Sequence, residues 1–163
     1  MRFRMAQDVK AYFGNIVNQG GSHGSEDRNK FLMFDPYYCC ALIGMAACEI
    51  DANENGLTDL VQDYPGTYRD CKAYIAGLLV ASEVKRRFQG VDIHTIKPEI
   101  LEGVMLEYLT SEDDTLLTDA GIRRLNAYSR KGAQIYQELF PDKPTSREEF
   151  LAGFNTVLQL YTV

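Results

Sequence analysis

The chain has 163 residues, with 23 acidic and 17 basic side chains and a formal net charge of −6. Its surface as a whole therefore offers a polyanion no general attraction, which argues against DNA binding by this chain alone. The length and the 45% hydrophobic content suit a single domain, residues 1–163, able to bury a core without a metal or disulfide staple.

No apolar run reaches the length of a bilayer span, and Met1-Arg2-Phe3-Arg4 leads into no signal-peptide core, so a cytoplasmic protein without membrane contact is expected. Met1 to Met5 alternates as a short strand would, but Val9, Tyr12, Phe13, Ile16 and Val17 recur at helical spacing, and a helix is predicted from about Gln7. Gly20 to Asp27 reads as a flexible loop, because glycines and small polar residues favour neither helix nor strand. Ser22, His23, Glu26 and Asp27 are residue types used in acid–base catalysis, but adjacency in sequence is not the geometry such chemistry needs.

Phe34 to Ile50 is the most apolar stretch. Asp35 reads as an N-cap and Pro36 as the first helical residue, and a helix apolar all round is normally buried, so residues 36–49 are predicted as the central helix. Cys39 and Cys40 lie inside it and Cys48 and Cys71 sit in similar apolar patterns, so all four are expected as free thiols. With His23 and His94 the only histidines, structural zinc is not expected. Tyr37 and Tyr38 are candidate partner-binding residues: one ring could pack inside while the other meets a protein partner.

Asp51-Ala52-Asn53-Glu54-Asn55-Gly56 resembles the first half of an EF-hand calcium loop, with Asp51, Asn53, Asn55 and Asp59 as candidate metal ligands. Gln62 stands where the bidentate Glu belongs and Thr58 where an aliphatic residue belongs, so an Asx-rich turn is the main reading, no cofactor is expected, and calcium is the alternative. Leu57 to Val61 is assigned a short helical turn ended by Tyr64-Pro65-Gly66.

A helix from about Thr67 to Phe88 follows, with Cys71, Tyr74, Ile75, Leu78 and Leu79 as its apolar stripe and Lys85-Arg86-Arg87 at the negative end of its dipole. Pro98 opens another helix whose buried face is read as Ile100, Leu101, Val104, Met105, Tyr108 and Leu109. From Asp119 to Leu139 a long helix is predicted, capped by Thr118 and weakened by Gly121 and Gly132. Ser146-Arg147-Glu148-Glu149 is a capping-box pattern that opens the last helix.

These elements imply an all-α fold, an irregular or orthogonal bundle of about five to seven helices around the buried helix at 36–49. Charge is uneven along it. Glu99 to Asp119 carries seven acids and no Lys or Arg, whereas Arg123, Arg124, Arg130 and Lys131 follow with no acid among them. Solvated helix faces are the main reading. Arg86, Arg87, Arg123, Arg124, Arg130 and Lys131 are the candidate nucleic-acid contacts if the fold brings them together, in a DNA-binding or DNA-nicking protein.

No phosphate-binding loop, dinucleotide fingerprint or nucleophile elbow is present, and no catalytic residue is assigned. The segment Phe34 to Ala46, following Lys30-Phe31-Leu32-Met33, resembles the core helix of small accessory proteins from bacterial DNA phosphorothioation and related defence systems. It covers less than a fifth of the chain and carries over no site residue. The resemblance implies a non-catalytic interaction subunit that works beside proteins acting on DNA, contacting DNA only through that complex.

Overall fold

A computed structural model describes residues 1–18 and 29–162. The Gly20–Asp27 loop reading, with Ser22, His23, Glu26 and Asp27, lies outside the described residues. The element order is β1 (Phe3–Ala6), α1 (Gln7–Tyr12), α2 (Phe34–Ala47), β2 (Leu57–Val61), α3 (Lys72–Arg87), α4 (Pro98–Tyr108), α5 (Asp119–Leu139) and α6 (Arg147–Gln159). Short 3₁₀ turns at Gly66–Cys71 and Ile93–Thr95 precede α3 and α4.

The helices α2 and α5 form the most extensive contact in the fold. They come close enough for backbone to touch backbone. A methyl group on Gly132 would overlap the carbonyl oxygen of Cys40, and one on Gly44 would overlap that of Tyr128. Gly132 therefore does not merely weaken α5; it admits α2 at a distance no other residue type allows. Ser129 reinforces the seam by donating its hydroxyl to the Tyr37 carbonyl at 2.9 Å, and the amide of Asp51 reaches the Ala127 carbonyl at 3.0 Å.

The helix α2 starts two residues earlier than expected. Met33 is the capping position and Asp35 lies in the first turn, where its carboxylate accepts from the Leu32 amide at 2.7 Å and from the Tyr68 hydroxyl at 2.5 Å. At the other end Cys48 adopts φ 57°, and the amides of Glu49 and Cys48 close onto the carbonyls of Gly44 and Met45. That pair of bonds is a Schellman cap, so the helix stops at Ala47 rather than at residue 49.

The fold is mostly helical but not all-α. The predicted helical turn at Leu57–Val61 is a strand, paired antiparallel with β1. Its pairing explains the difference: Arg4 faces Asp59 across the ladder, Met5 faces Thr58 and Ala6 faces Leu57. Arg2 and Arg4 both donate to the Asp59 carboxylate, at 2.8 and 3.1 Å, and Lys10 donates to its carbonyl at 2.7 Å. Local helix preference over five residues is weak beside such a cross-strand charge pair and a buried Phe3 and Met5 behind it. The other edge of β1 is covered by Asn126 of α5, which accepts from the Arg4 amide and donates to the Arg2 carbonyl. A buried asparagine thus replaces a third strand.

The rings form two aromatic clusters. Phe3, Phe34, Tyr37, Tyr64 and Tyr68 meet in edge-to-face and tilted pairs near the sheet, and Tyr12, Phe13, Tyr136 and Phe150 join α1, α5 and α6. Thr118 and Ser146 cap α5 and α6 as expected, through the amides of Gly121 and Glu149.

The apolar stripes of α3 and α4 are only half buried. Ile75, Leu79, Val104 and Tyr108 face the core, whereas Tyr74, Leu78, Ile100 and Met105 are exposed. Helical spacing identifies neighbours on a cylinder and cannot say which of two apolar stripes the core will cover.

Gly132→Ala should destabilise the protein by at least about 3 kcal/mol despite alanine's better helix propensity, because the added methyl cannot enter without separating α2 from α5. Gly77→Ala, at a helical position with nothing within 4 Å of the added methyl, should instead stabilise by about 0.5–1 kcal/mol. Urea denaturation of both variants measures the contrast.

Candidate functional site

The densest polar centre is built on a residue that carried no role in the sequence reading. Glu83, on α3, is completely buried. Arg86 clamps its carboxylate through Nε and Nη2, both at 3.0 Å, and Arg87 adds a longer bond from Nε at 3.4 Å. Tyr128 of α5 donates to one oxygen at 2.6 Å and Tyr108 of α4 to the other at 2.9 Å. Arg124 of α5 lies 3.6 Å away, and its guanidinium and that of Arg87 sit over the Tyr108 ring at 5.8 and 5.2 Å. Arg87 also donates to Tyr108 and bridges to Glu107 at 2.8 Å.

Burial alone would raise the Glu83 carboxyl. The bonds from Arg86, Tyr128 and Tyr108 and the charge of Arg124 outweigh it and bring the group down to about 2. Burial and the bond to Glu83 push the Tyr108 hydroxyl up to about 12, so it stays a donor. This is a fully occupied charge centre that ties α3, α4 and α5 together. It leaves the carboxylate no free proton-transfer role.

The centre also decides where the predicted nucleic-acid residues go. Arg86, Arg87 and Arg124 are brought together, but on a buried carboxylate rather than on an open surface. Arg130 instead pairs with Asp51 at 3.1 Å and donates to the carbonyls of Asn53 and Asn55 at 2.6 and 2.7 Å. Lys131 pairs with Glu49 at 3.1 Å. Arg123 is exposed and lines, with Arg124, a cleft of about 330 Å³ shared with Asp51, Glu54 and Glu107.

The EF-hand-like loop is likewise an occupied turn. Asp51 accepts from the Asn53 amide at 3.0 Å and from Gln134 at 2.6 Å, and Asn53 accepts from the Asn55 amide at 2.9 Å. Burial would raise the Asp51 carboxyl, but the Asn53 amide, Gln134 and Arg130 hold it below the usual carboxylate range. The carbonyls that could face a cation face the Arg130 guanidinium instead, and Asp59 sits in β2 against Arg2 and Arg4. Among the described residues no group of three or more His, Cys, Asp or Glu side chains is placed to hold a metal ion.

Tyr37 is a core residue: it is fully buried and donates to Asn126 at 2.7 Å. Tyr38 is half-buried and packs edge to face on Tyr68. All four cysteines are free. Burial, with Asp35 adding, pushes the Cys39 thiol up to about 12, and burial raises the Cys40 thiol well above its ordinary value, so neither is an activated nucleophile.

The signal for Glu83 was present locally, since Glu followed by Arg at i+3 and i+4 marks a helical ion pair. Nothing in the sequence joins that pair to Tyr108, Arg124 and Tyr128. No protein-family model matches the chain, and no curated protein or solved structure matches it.

Glu83→Gln should destabilise by about 3–5 kcal/mol, because it leaves three guanidinium groups and two hydroxyls around a neutral amide. The wild type should also lose stability as the pH falls from 4.5, the ordinary glutamate value, towards 2, the window set by the depressed Glu83 carboxyl. A carboxyl lowered by folding stabilises the native state above its unfolded pKa and ceases to do so as it is protonated in the folded protein; the loss here is about 3 kcal/mol. Denaturation of both proteins across this range should show a shallower acid limb for the variant.

Proposed function

We propose that the protein is a non-catalytic helical interaction subunit whose partner seats on the outer face of α3 and α4. The observation that carries this reading is a concentration of large apolar side chains left in solvent on this helix pair. Tyr74 is 74% exposed and Leu106 59%, and Leu78, Ile100 and Met105 are exposed beside them. A cavity of about 410 Å³ lies between the two helices, floored by Val80, Val84, Leu101 and Leu109. Of the five exposed residues Met105 lines this cavity; single exposed apolar residues are ordinary, but five on one helix pair beside an apolar cavity favour a protein contact.

The resemblance of Phe34–Ala46 to accessory proteins of DNA phosphorothioation and defence systems supports placing the subunit beside proteins that act on DNA. The partner face proposed here replaces the Tyr37 region, since Tyr37 is buried. Direct DNA contact and calcium binding are weaker readings, because Arg86, Arg87, Arg124 and Arg130 and the oxygens of the 51–55 loop are already engaged with one another or with Glu83.

Co-purification from the native host at low salt should recover a stoichiometric protein partner with the wild type. A Tyr74→Asp/Leu106→Asp variant should lose it while its melting temperature stays within a few degrees, since both side chains are exposed. Retention of the partner by this variant, or a solitary wild-type protein, would contradict the reading.

A further inference from the structure

A second cleft shares no lining residue with the cavity between α3 and α4. Its volume is about 350 Å³, within the range of small-ligand sites, and three segments meet in it: the sheet, the turn leading into α3, and the stretch joining α4 to α5. Phe3, Leu117 and Ile122 give it apolar walls. Its charged lining residues are Arg69, Lys72 and Asp63, which leaves one positive charge in excess.

The cations here differ from those around Glu83. Arg69 is exposed and, among the described residues, makes no ion pair or side-chain hydrogen bond. Lys72 has no hydrogen-bonded acceptor among the described residues, although its charge lowers the exposed Asp113 carboxyl together with the bonds from Thr115. The wall also includes the ring of Tyr64, whose hydroxyl is buried out of reach of the cleft.

We propose that this cleft binds an apolar group bearing a single carboxylate, with the acid at Arg69 and Lys72 and the apolar body against Phe3, Leu117 and Ile122. A guanidinium and an ammonium on one rim suit a carboxylate. Such a group reaches the cleft either as a free small acid or as the C-terminal residue of another polypeptide.

Isothermal titration of the full chain with 3-phenylpropionate, its neutral amide, and acetyl-glycyl-glycyl-phenylalanine tests the site. At least one of the two acids should bind saturably with a Kd of about 1 mM or below, and the amide should bind about tenfold more weakly or not at all. Preference for the small acid identifies a metabolite-like ligand, and preference for the peptide identifies a chain terminus. Arg69→Ala and Lys72→Ala should each weaken the acid by about tenfold. Melting curves of both variants show that they are folded. The proposal is overturned by the absence of saturable binding of either acid, by equal binding of the amide, or by unchanged affinity in the folded variants.

Discussion

Two helices of this protein meet at their backbones, and the position of every other element follows from that meeting. Gly44 and Gly132 remove the side chains that would keep α2 and α5 apart, so the carbonyls of Cys40 and Tyr128 occupy the space a Cβ would need. Close approach turns a general apolar attraction into a fixed alignment, because only one register brings each glycine opposite a carbonyl. Asn126 and Ser129 lie on the same face of α5 and convert the alignment into hydrogen bonds, one set holding Tyr37 and the other holding β1. The small sheet is thereby attached to the long helix rather than standing alone, as a two-stranded sheet in water could not.

The second constraint is electrostatic. A carboxylate with no solvent exposure is costly unless it is paired and hydrogen-bonded, and Glu83 is satisfied by groups from three helices. Its demand for partners draws Arg86, Arg87 and Arg124 onto one carboxylate, with their side chains still partly in solvent, just as the turn at residues 51–55 draws in Arg130. A basic segment in a sequence is thus a poor guide to a basic surface. The exposed surface of α3 and α4 mixes Lys85, Arg87, Glu99, Glu102 and Glu107 with the large apolar side chains of Tyr74, Leu78, Ile100, Met105 and Leu106.

Much of the chain's local structure was legible beforehand. The bounds of α5, the caps at Thr118 and Ser146, the start of α4 at Pro98 and the onset of α1 near Gln7 all follow from signals within a few residues of the element they mark. What could not be read depends on distant partners. Leu57–Val61 becomes a strand only because β1 lies beside it, and Asp35 leaves the capping position because Leu32 and Tyr68 claim its carboxylate. The glycines of α2 and α5 look like defects until the opposing backbone is in place. The charge centre was half visible, as a Glu–Arg–Arg spacing on one helix, and its other half comes from residues 25 to 45 positions away.

Native-state hydrogen exchange tests most directly whether the α2–α5 seam is the foundation of the fold. If it is, the amides of residues 38–46 and 125–136 should be the slowest in the protein and should exchange only through global unfolding, while those of α3 and α4 open at lower free energy. Amides of α3 or α4 that are protected as strongly as the seam, with α2 or α5 opening first, would contradict this account.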